Sequence, residues 1–335
     1  MKSLRLNQDN ELYFIDMPKP QIVEPNQVLI KMAYASICGY DMMTIKGQAG
    51  YPKDGQMGHE GSGLVVAVGS NVHESELKVG DHVSILPFQF CGHCKACRSK
   101  QTEYCLNPSG RSDLMTEYIV EDKKFVFRLP PHLSLKEGCL IEPLMMGMYA
   151  VKKANLKYDS RVLILGCGAM GQIILKLVKM HPVSRVVVVE PDFDKRRKAL
   201  EFGADVALDV KKGTSTMSAV LNDNDGLGYD AVLEVSGDRN SAEMALNVVA
   251  RGGSVVYYGL YGMEYALKVN LFNLYWKDTT ITAVCVPSGY FPPAIDFAHR
   301  IGLEDVISAI FPFRKAIEAF EEKATGRHAK VMIEF

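Results

Sequence analysis

Residues 160–190 read SRVLILGCGAMGQIILKLVKMHPVSRVVVVE, and their order decides the fold. An apolar run, RVLIL, leads into Gly166, Gly168 and Gly171; a helical stretch, QIILKLVKM, follows, and a second apolar run, RVVVV, closes on Glu190. Short apolar runs with little polar alternation are expected of strands covered by helices on both faces. A bare G-x-G-x-x-G carries little weight, but between a strand and a helix it acquires a mechanical meaning. Gly166 permits the tight turn, Gly168 lets the backbone approach a pyrophosphate, and Gly171 lets helix and sheet pack closely. The helix N-terminus, opening with Ala169 and Met170, then faces the diphosphate.

Beyond this unit the alternation continues through DKRRKALEFG, helical, and the strand-like YDAVLEVSG and SVVYYGL. Alternating strands and helices argue for a doubly wound parallel sheet of Rossmann type, within residues 146–285. Glu190 stands about twenty residues past the loop, where an acid accepts hydrogen bonds from the adenine ribose hydroxyls and repels a 2′-phosphate. Lys195, Arg196 and Arg197 follow it and offer such a phosphate positive charge, although a solvated basic face is their plainer role. The reading is NAD in preference to NADP, with Ser236 and Gly259, in the two later runs, completing the expected cofactor contacts.

The stretch before residue 146 differs in kind. Runs such as VLIKMAYA, GSGLVVAVG and DHVSILPF are β-rich and separated by Gly, Pro, Asn and Asp, which predicts an irregular, mostly antiparallel β domain. The tail offers two helices, AIDFAHRIG and FRKAIEAFEEKATG, and a last strand, KVMIEF. A chain of 335 residues suggests about two domains, here expected to pack with a cleft between them. A hydrophobic fraction of 47%, a charged fraction of 23% and a formal net charge of −1 give no reason to expect a nucleic-acid partner. No apolar run reaches the roughly 18 residues of a membrane span, and the N-terminal residues lack the apolar segment of a signal peptide. The expected compartment is the cytosol, where clustered thiols are metal ligands more often than disulfides.

Four of the eight cysteines are clustered: Cys91, Cys94, Cys97 and Cys105 read C-x2-C-x2-C-x7-C. Four soft ligands on one short lobe, 88–106, close a tetrahedral Zn²⁺ and leave no open position, which makes this a structural site. His93, inside the lobe, is then superfluous and reads as solvated. Cys38 in ICGYD, His59 and Glu60 in GHEGSG, and Glu142 in IEPL each have a bland reading when taken singly. A lone Cys is usually a small buried hydrophobe, and Glu before Pro commonly starts a helix.

Taken in order, C-G-x-D, G-H-E, the four-cysteine lobe, E-P and the glycine loop resemble the zinc-containing medium-chain dehydrogenases, almost end to end. The resemblance implies a GroES-like catalytic domain, residues 1–145, to which the last residues, 286–335, return. It implies that Cys38 and His59 ligate a catalytic zinc, and that Glu60 and Glu142 share or exchange the remaining protein position. Asp41 would orient His59, the partner a ligating imidazole needs. One departure stands out. Many members carry Ser or Thr two residues after the cysteine and His at the fifth, forming a proton relay; here Tyr40 and Met43 occupy those positions. Tyr40 is therefore expected to line the substrate pocket.

The implied chemistry is hydride transfer between an alcohol and NAD, with two zinc ions per chain, one catalytic and one structural. The E-P pair and the Glu after the ligand His resemble the polyol branch, with sorbitol, threonine and galactitol-phosphate dehydrogenases. A secondary alcohol of a polyol, sugar derivative or cyclitol is the leading substrate, and L-threonine the alternative. A non-catalytic regulatory protein on the same scaffold is the reading from another class. Lys46, Lys53 and Arg111 are candidates for a substrate phosphate or carboxylate, each with a plainer role as a surface charge. A homodimer or homotetramer is expected, with TTITAVCV, residues 279–286, as an edge strand pairing across a two-fold axis.

Overall fold

Parallel pairing organises the middle of the chain. In this computed structural model, which describes all residues except 51, 112, 210–215 and 285 and the side chain of Lys53, six strands form one sheet. Their order across the sheet is Val206–Leu208, Arg185–Val189, Arg161–Leu165, Tyr229–Glu234, Val249–Tyr257 and Thr280–Ala283. Every neighbouring pair is parallel. That is the doubly wound Rossmann order, reversing beside Arg161–Leu165, the strand that feeds the glycine loop. Leu163, Leu165, Val187, Val189, Val232 and Val255 are buried in one apolar cluster, as the unbroken hydrophobic runs require.

The chain divides into two compact units, Met146–Cys285 and a second made of Met1–Met145 with Val286–Phe335. The second is built on a seven-stranded sheet whose hub is the ten-residue strand Gln27–Ser36. That strand pairs antiparallel with Glu60–Val68, Tyr118–Asp122 and Lys330–Glu334. Val28, Ile30 and Met32 point to one buried face, the alternation expected of a strand.

The tail holds more than two helices and a strand. Ile307–Pro312 is a further strand, parallel to Lys330–Glu334, with helix Ala316–Ala324 between the two in the chain. Its side chains alternate between half-buried and exposed, so ISAIFP never forms the continuous apolar run that signals a covered strand. Residues 88–110 leave the sheet as a lobe, closed at its base by antiparallel pairing of Phe88–Gln89 with Ser109–Gly110. Among the described residues no helix is long and apolar enough to cross a membrane.

Candidate functional site

Sheet register assembles the first cluster. Cys38 caps the helix Gly39–Ile45, and Glu60 opens the strand Glu60–Val68 immediately after His59. Ser36 lies opposite Glu60 on one side and Met332 on the other. Residues directly opposite in antiparallel strands point to the same face, and so do residues two apart. Lys330 is thereby brought to Ser36 and Glu60 from the far end of the chain. Ligand atoms of Cys38, His59 and Glu60 all lie within 4.8 Å of one another.

A second layer of contacts holds these three side chains. Asp41 is buried; its Oδ2 accepts a hydrogen bond from the Cys38 N–H at 2.8 Å and its Oδ1 lies 3.4 Å from His59 Nδ1. One carboxylate thus fixes both the cysteine and the imidazole ring. Glu60 Oε2 accepts hydrogen bonds from the Ser36 hydroxyl and the Lys330 ammonium, and Lys330 is only 2% exposed. Burial opposes the charged imidazolium of His59, but Asp41 and Cys38 outweigh it and hold its pKa well above the ordinary histidine range.

Glu142, in the first turn of the helix Ile141–Lys153, lies outside the tight trio. It is near enough to feel Glu60, His59 and Lys330, and burial followed by the charge of Glu60 pushes its carboxyl up to about 7. Three buried acids and a thiol facing one lysine and one histidine leave an excess of negative charge. A thiolate, an imidazole and a carboxylate around such a deficit fit a divalent zinc ion. Lys330 was not among the residues singled out from sequence; its only signal there is a cation inside the otherwise apolar stretch AKVMI.

The second cluster is local. The four sulfurs of Cys91, Cys94, Cys97 and Cys105 lie within 4.8 Å of one another. Backbone amides point at them: Cys91 N–H donates to Cys105 Sγ at 3.3 Å, Cys94 N–H to Cys91 Sγ at 3.4 Å and Leu106 N–H to Cys94 Sγ at 3.5 Å. Amide donors, first that of Cys97 and then that of Leu106, lower the Cys94 pKa to about 6, whereas burial pushes that of Cys97 up to about 12. Only a cation lets four such neighbours ionise together, and four thiolates fit a closed zinc site. His93 is exposed, with its ring nitrogen 3.0 Å from the Cys91 carbonyl oxygen.

The glycine loop has the geometry of a diphosphate cradle. Gly168 caps the helix Ala169–Val178 with no side chain on its first amides, and Ala169 and Met170 form the first turn. A Cβ on Gly171 would stand 2.2 Å from the Gly166 carbonyl oxygen, so helix and strand approach as only glycine allows. Glu190 is buried, and its carboxylate accepts from the Cys167 N–H inside the loop at 2.7 Å and from the Asp192 N–H at 3.0 Å. Arg196 is tied to the Glu190 and Pro191 carbonyls, each at 2.7 Å, while Arg197 pairs along its own helix with Glu201. Lys195 donates its backbone N–H to Asp192 and sits close enough to Cys167 to favour its thiolate, against the larger effects of burial and Glu190. Ser236 and Gly259 meet at Glu234, a buried acid that the sequence reading passed over.

Tyr40 is 45% exposed, and its ring stands edge-on to that of His59 with centroids 6.2 Å apart. Thr44, the next hydroxyl along, donates to the Tyr40 carbonyl at 3.0 Å. Arg111 is occupied, forked onto Asp113 at 2.6 and 3.0 Å and bound to Glu121. Lys46 is exposed; the Lys53 side chain lies outside the described residues.

Residues 24–131 match the family model of the alcohol dehydrogenase GroES-like domain, and residues 169–300 that of the zinc-binding dehydrogenases. D-arabitol-phosphate dehydrogenase of Enterococcus avium is 30% identical over 97% of this chain and 94% of its own length. Sorbitol dehydrogenase of Ovis aries is 30% identical over 99% and 95%. A solved Escherichia coli oxidoreductase of unknown specificity superposes with a TM-score of 0.89 at 28% identity, covering 99% of this chain and 98% of the other.

Proposed function

This chain is a member of the zinc-containing medium-chain alcohol and polyol dehydrogenases, and from that premise we propose that it moves hydride between NAD and a secondary alcohol of a polyol, sugar derivative or cyclitol. The observation that carries the reading is the convergence of Cys38, His59 and Glu60 on one point. Cys38 and His59 are the proposed catalytic ligands, His59 through Nε2 because its Nδ1 is turned to Asp41. Bound zinc with an open position supplies Lewis acidity, lowering the pKa of an attached water from about 15.7 to about 7 and acidifying an alcohol similarly.

The protein's own residues do the rest. Lys330 and Ser36 hold one oxygen of Glu60 and stabilise its charge, so Glu60 is the fixed carboxylate of the site. Glu142, buried in the first turn of the helix Ile141–Lys153 and near enough to feel Glu60 and His59, is the carboxylate proposed to share or exchange the remaining protein position on the zinc. The test is a panel of polyols, sugar phosphates, cyclitols and L-threonine with both coenzymes, read by absorbance of the reduced nicotinamide. Turnover of a polyol supports the reading; turnover of threonine alone, or of nothing in zinc-replete protein, overturns it. Elemental analysis should return two zinc ions per chain, the second held by Cys91, Cys94, Cys97 and Cys105.

NAD is preferred over NADP in this reading because the Glu190 carboxylate borders the ribose end of the loop and Arg196 is spent on backbone carbonyls. Glu190→Ala is expected to narrow the NAD-to-NADP ratio of kcat/KM roughly ten-fold, about the value of one hydrogen bond to a charged group. A wild-type enzyme with higher kcat/KM for NADP would refute the assignment. A homodimer or homotetramer is supported by the strand Thr280–Ala283 at the open edge of the sheet and by its neighbour, the helix Leu271–Lys277. That helix exposes Leu271, Phe272, Tyr275 and Trp276, a contiguous apolar face of the kind that marks protein contacts. Light scattering should therefore give two or four times the chain mass, and a monomer would overturn the reading. Cys285, in the same stretch of sequence, lies outside the described residues. The four unpaired thiols of the lobe suit a reducing compartment such as the cytosol.

A further inference from the structure

Glu234 ends the strand Tyr229–Glu234 and is fully buried. The hydrogen-bond donors that face it are all neutral. The carboxylate accepts hydrogen bonds from the Ser236 N–H at 2.9 Å, the Gly237 N–H at 3.2 Å, the Ser236 hydroxyl and the Tyr261 hydroxyl. An ionised carboxylate has about four acceptor sites and no donor, and here four donors are presented to it. Burial raises its pKa while these hydrogen bonds oppose the rise, Ser236 first and then Tyr261.

The donors come from two different loops. Ser236 and Gly237 follow Glu234 directly, whereas Tyr261 belongs to the loop that leaves the neighbouring strand Val249–Tyr257. The main chain reinforces the link, since the N–H groups of Tyr258 and Gly259 both donate to the Glu234 carbonyl, at 2.8 and 2.9 Å. A Cβ on Gly259 would lie 2.3 Å from Glu234 Oε2 and 2.4 Å from the Gly237 nitrogen: the carboxylate occupies the space a side chain would need. On its other side Ser236 abuts the glycine loop, because a Cβ on Gly166 would lie 2.9 Å from the Ser236 Cα. Glycine loop, Ser236, Glu234, Gly259 and Tyr261 therefore form one continuous set of contacts along the carboxyl ends of three adjacent strands.

In a doubly wound sheet the dinucleotide spans two mononucleotide-binding halves and lies outside the carboxyl ends of the strands. The glycine loop and Glu190 belong to the half that takes the adenosine side; the strands Tyr229–Glu234, Val249–Tyr257 and Thr280–Ala283 make the other. We infer that Glu234 is a positioning residue for the nicotinamide half of the dinucleotide, locking the loops after Glu234 and Tyr257 into one preformed rim through Ser236, Gly237 and Tyr261. A rim ordered in advance removes a loop-ordering cost from binding. No apolar residue could gather four donors, and a glutamine would oppose one of them with its own N–H. The inference rests on the dinucleotide reading above.

Tyr261→Phe and Glu234→Gln test it through binding rather than turnover. Wild type and both variants are titrated with the reduced dinucleotide that wild type prefers and, separately, with AMP, which offers the adenosine half alone. Each variant should bind the dinucleotide roughly ten-fold more weakly, the scale of a hydrogen bond to a charged group, and keep its AMP affinity. Equal weakening of both ligands would mean a general loosening of the unit and would overturn the positioning role, as would unchanged dinucleotide affinity. Wild type binding neither ligand would instead overturn the dinucleotide reading, and the inference with it.

Discussion

The two candidate metal sites are assembled by different means. From Cys91 to Cys105 the four thiols lie on one lobe whose own backbone amides point at the sulfurs. Cys38, His59 and Glu60 meet because three strands pair in one register, and the lysine that neutralises Glu60 is 270 residues away in the chain. The first cluster is a property of a loop, the second a property of a sheet. Their failures should differ accordingly: loss of a lobe thiol should cost stability and spare the chemistry, loss of Cys38 should stop the chemistry, and loss of the buried lysine should cost global stability.

The sharpest separation is expected from a pair of cysteine variants. Cys38→Ser should lower turnover by roughly 10³-fold or more, since a Lewis-acidic metal supplies several kcal/mol of transition-state stabilisation, and the thermal transition should stay nearly in place. Cys97→Ser should retain measurable turnover while losing stability and one of two zinc ions by elemental analysis. Should Cys97→Ser abolish turnover in protein that still carries the other zinc, the separation between the clusters would collapse.

This contrast also marks how far sequence alone reaches. The lobe is fully legible because spacing alone brings four thiols together, and the glycine loop is legible because its strand, turn and helix are contiguous. Cys38, His59 and Glu60 gain a shared meaning only from the order of motifs along the chain, since nothing local to any of them indicates the other two. Lys330 and Glu234 escape notice for the same reason. A lysine in a terminal strand and an acid after an apolar run look like ordinary strand ends until pairing with Gln27–Ser36 buries the first and the Tyr261 hydroxyl reaches the second. The strand Ile307–Pro312 is missed because its partner lies beyond a helix.

Lys330→Met should expose the dependence of the register site on a distant charge. Removing one member of a buried ion pair leaves the other uncompensated, which typically costs about 3–5 kcal/mol. Denaturant unfolding should show a loss of that size, and Glu60→Gln combined with Lys330→Met should recover part of it. His93→Ala, the matching change in the lobe, should stay within about 0.5 kcal/mol because an exposed side chain holds little there. A Lys330→Met variant as stable as wild type would show that the buried pair is carried by the sheet rather than carrying it.

The smallest effect is expected at Tyr40, and it decides whether the register site includes a hydroxyl of its own. Tyr40 is two residues past Cys38, in the first turn of a helix, and it is the exposed ring beside the buried His59. Met43 is apolar, and the Thr44 hydroxyl is committed to the Tyr40 carbonyl, so neither offers a proton path from the site. A phenol has an unperturbed pKa near 10, too high to act as a base at neutral pH, and it is better suited to donate a hydrogen bond to the reacting oxygen. Losing a neutral hydrogen bond of that kind weakens a bound state by about 0.5–1.5 kcal/mol. Tyr40→Phe keeps the ring against His59 and removes only the hydroxyl, so kcat/KM should fall roughly three- to ten-fold with zinc content and the unfolding midpoint unchanged. If kcat/KM is instead unaltered from about pH 6 to about pH 10, across the ordinary tyrosine range, Tyr40 serves only as packing for His59, and the helix Gly39–Ile45 contributes to the site through Cys38 at its cap and Asp41 alone.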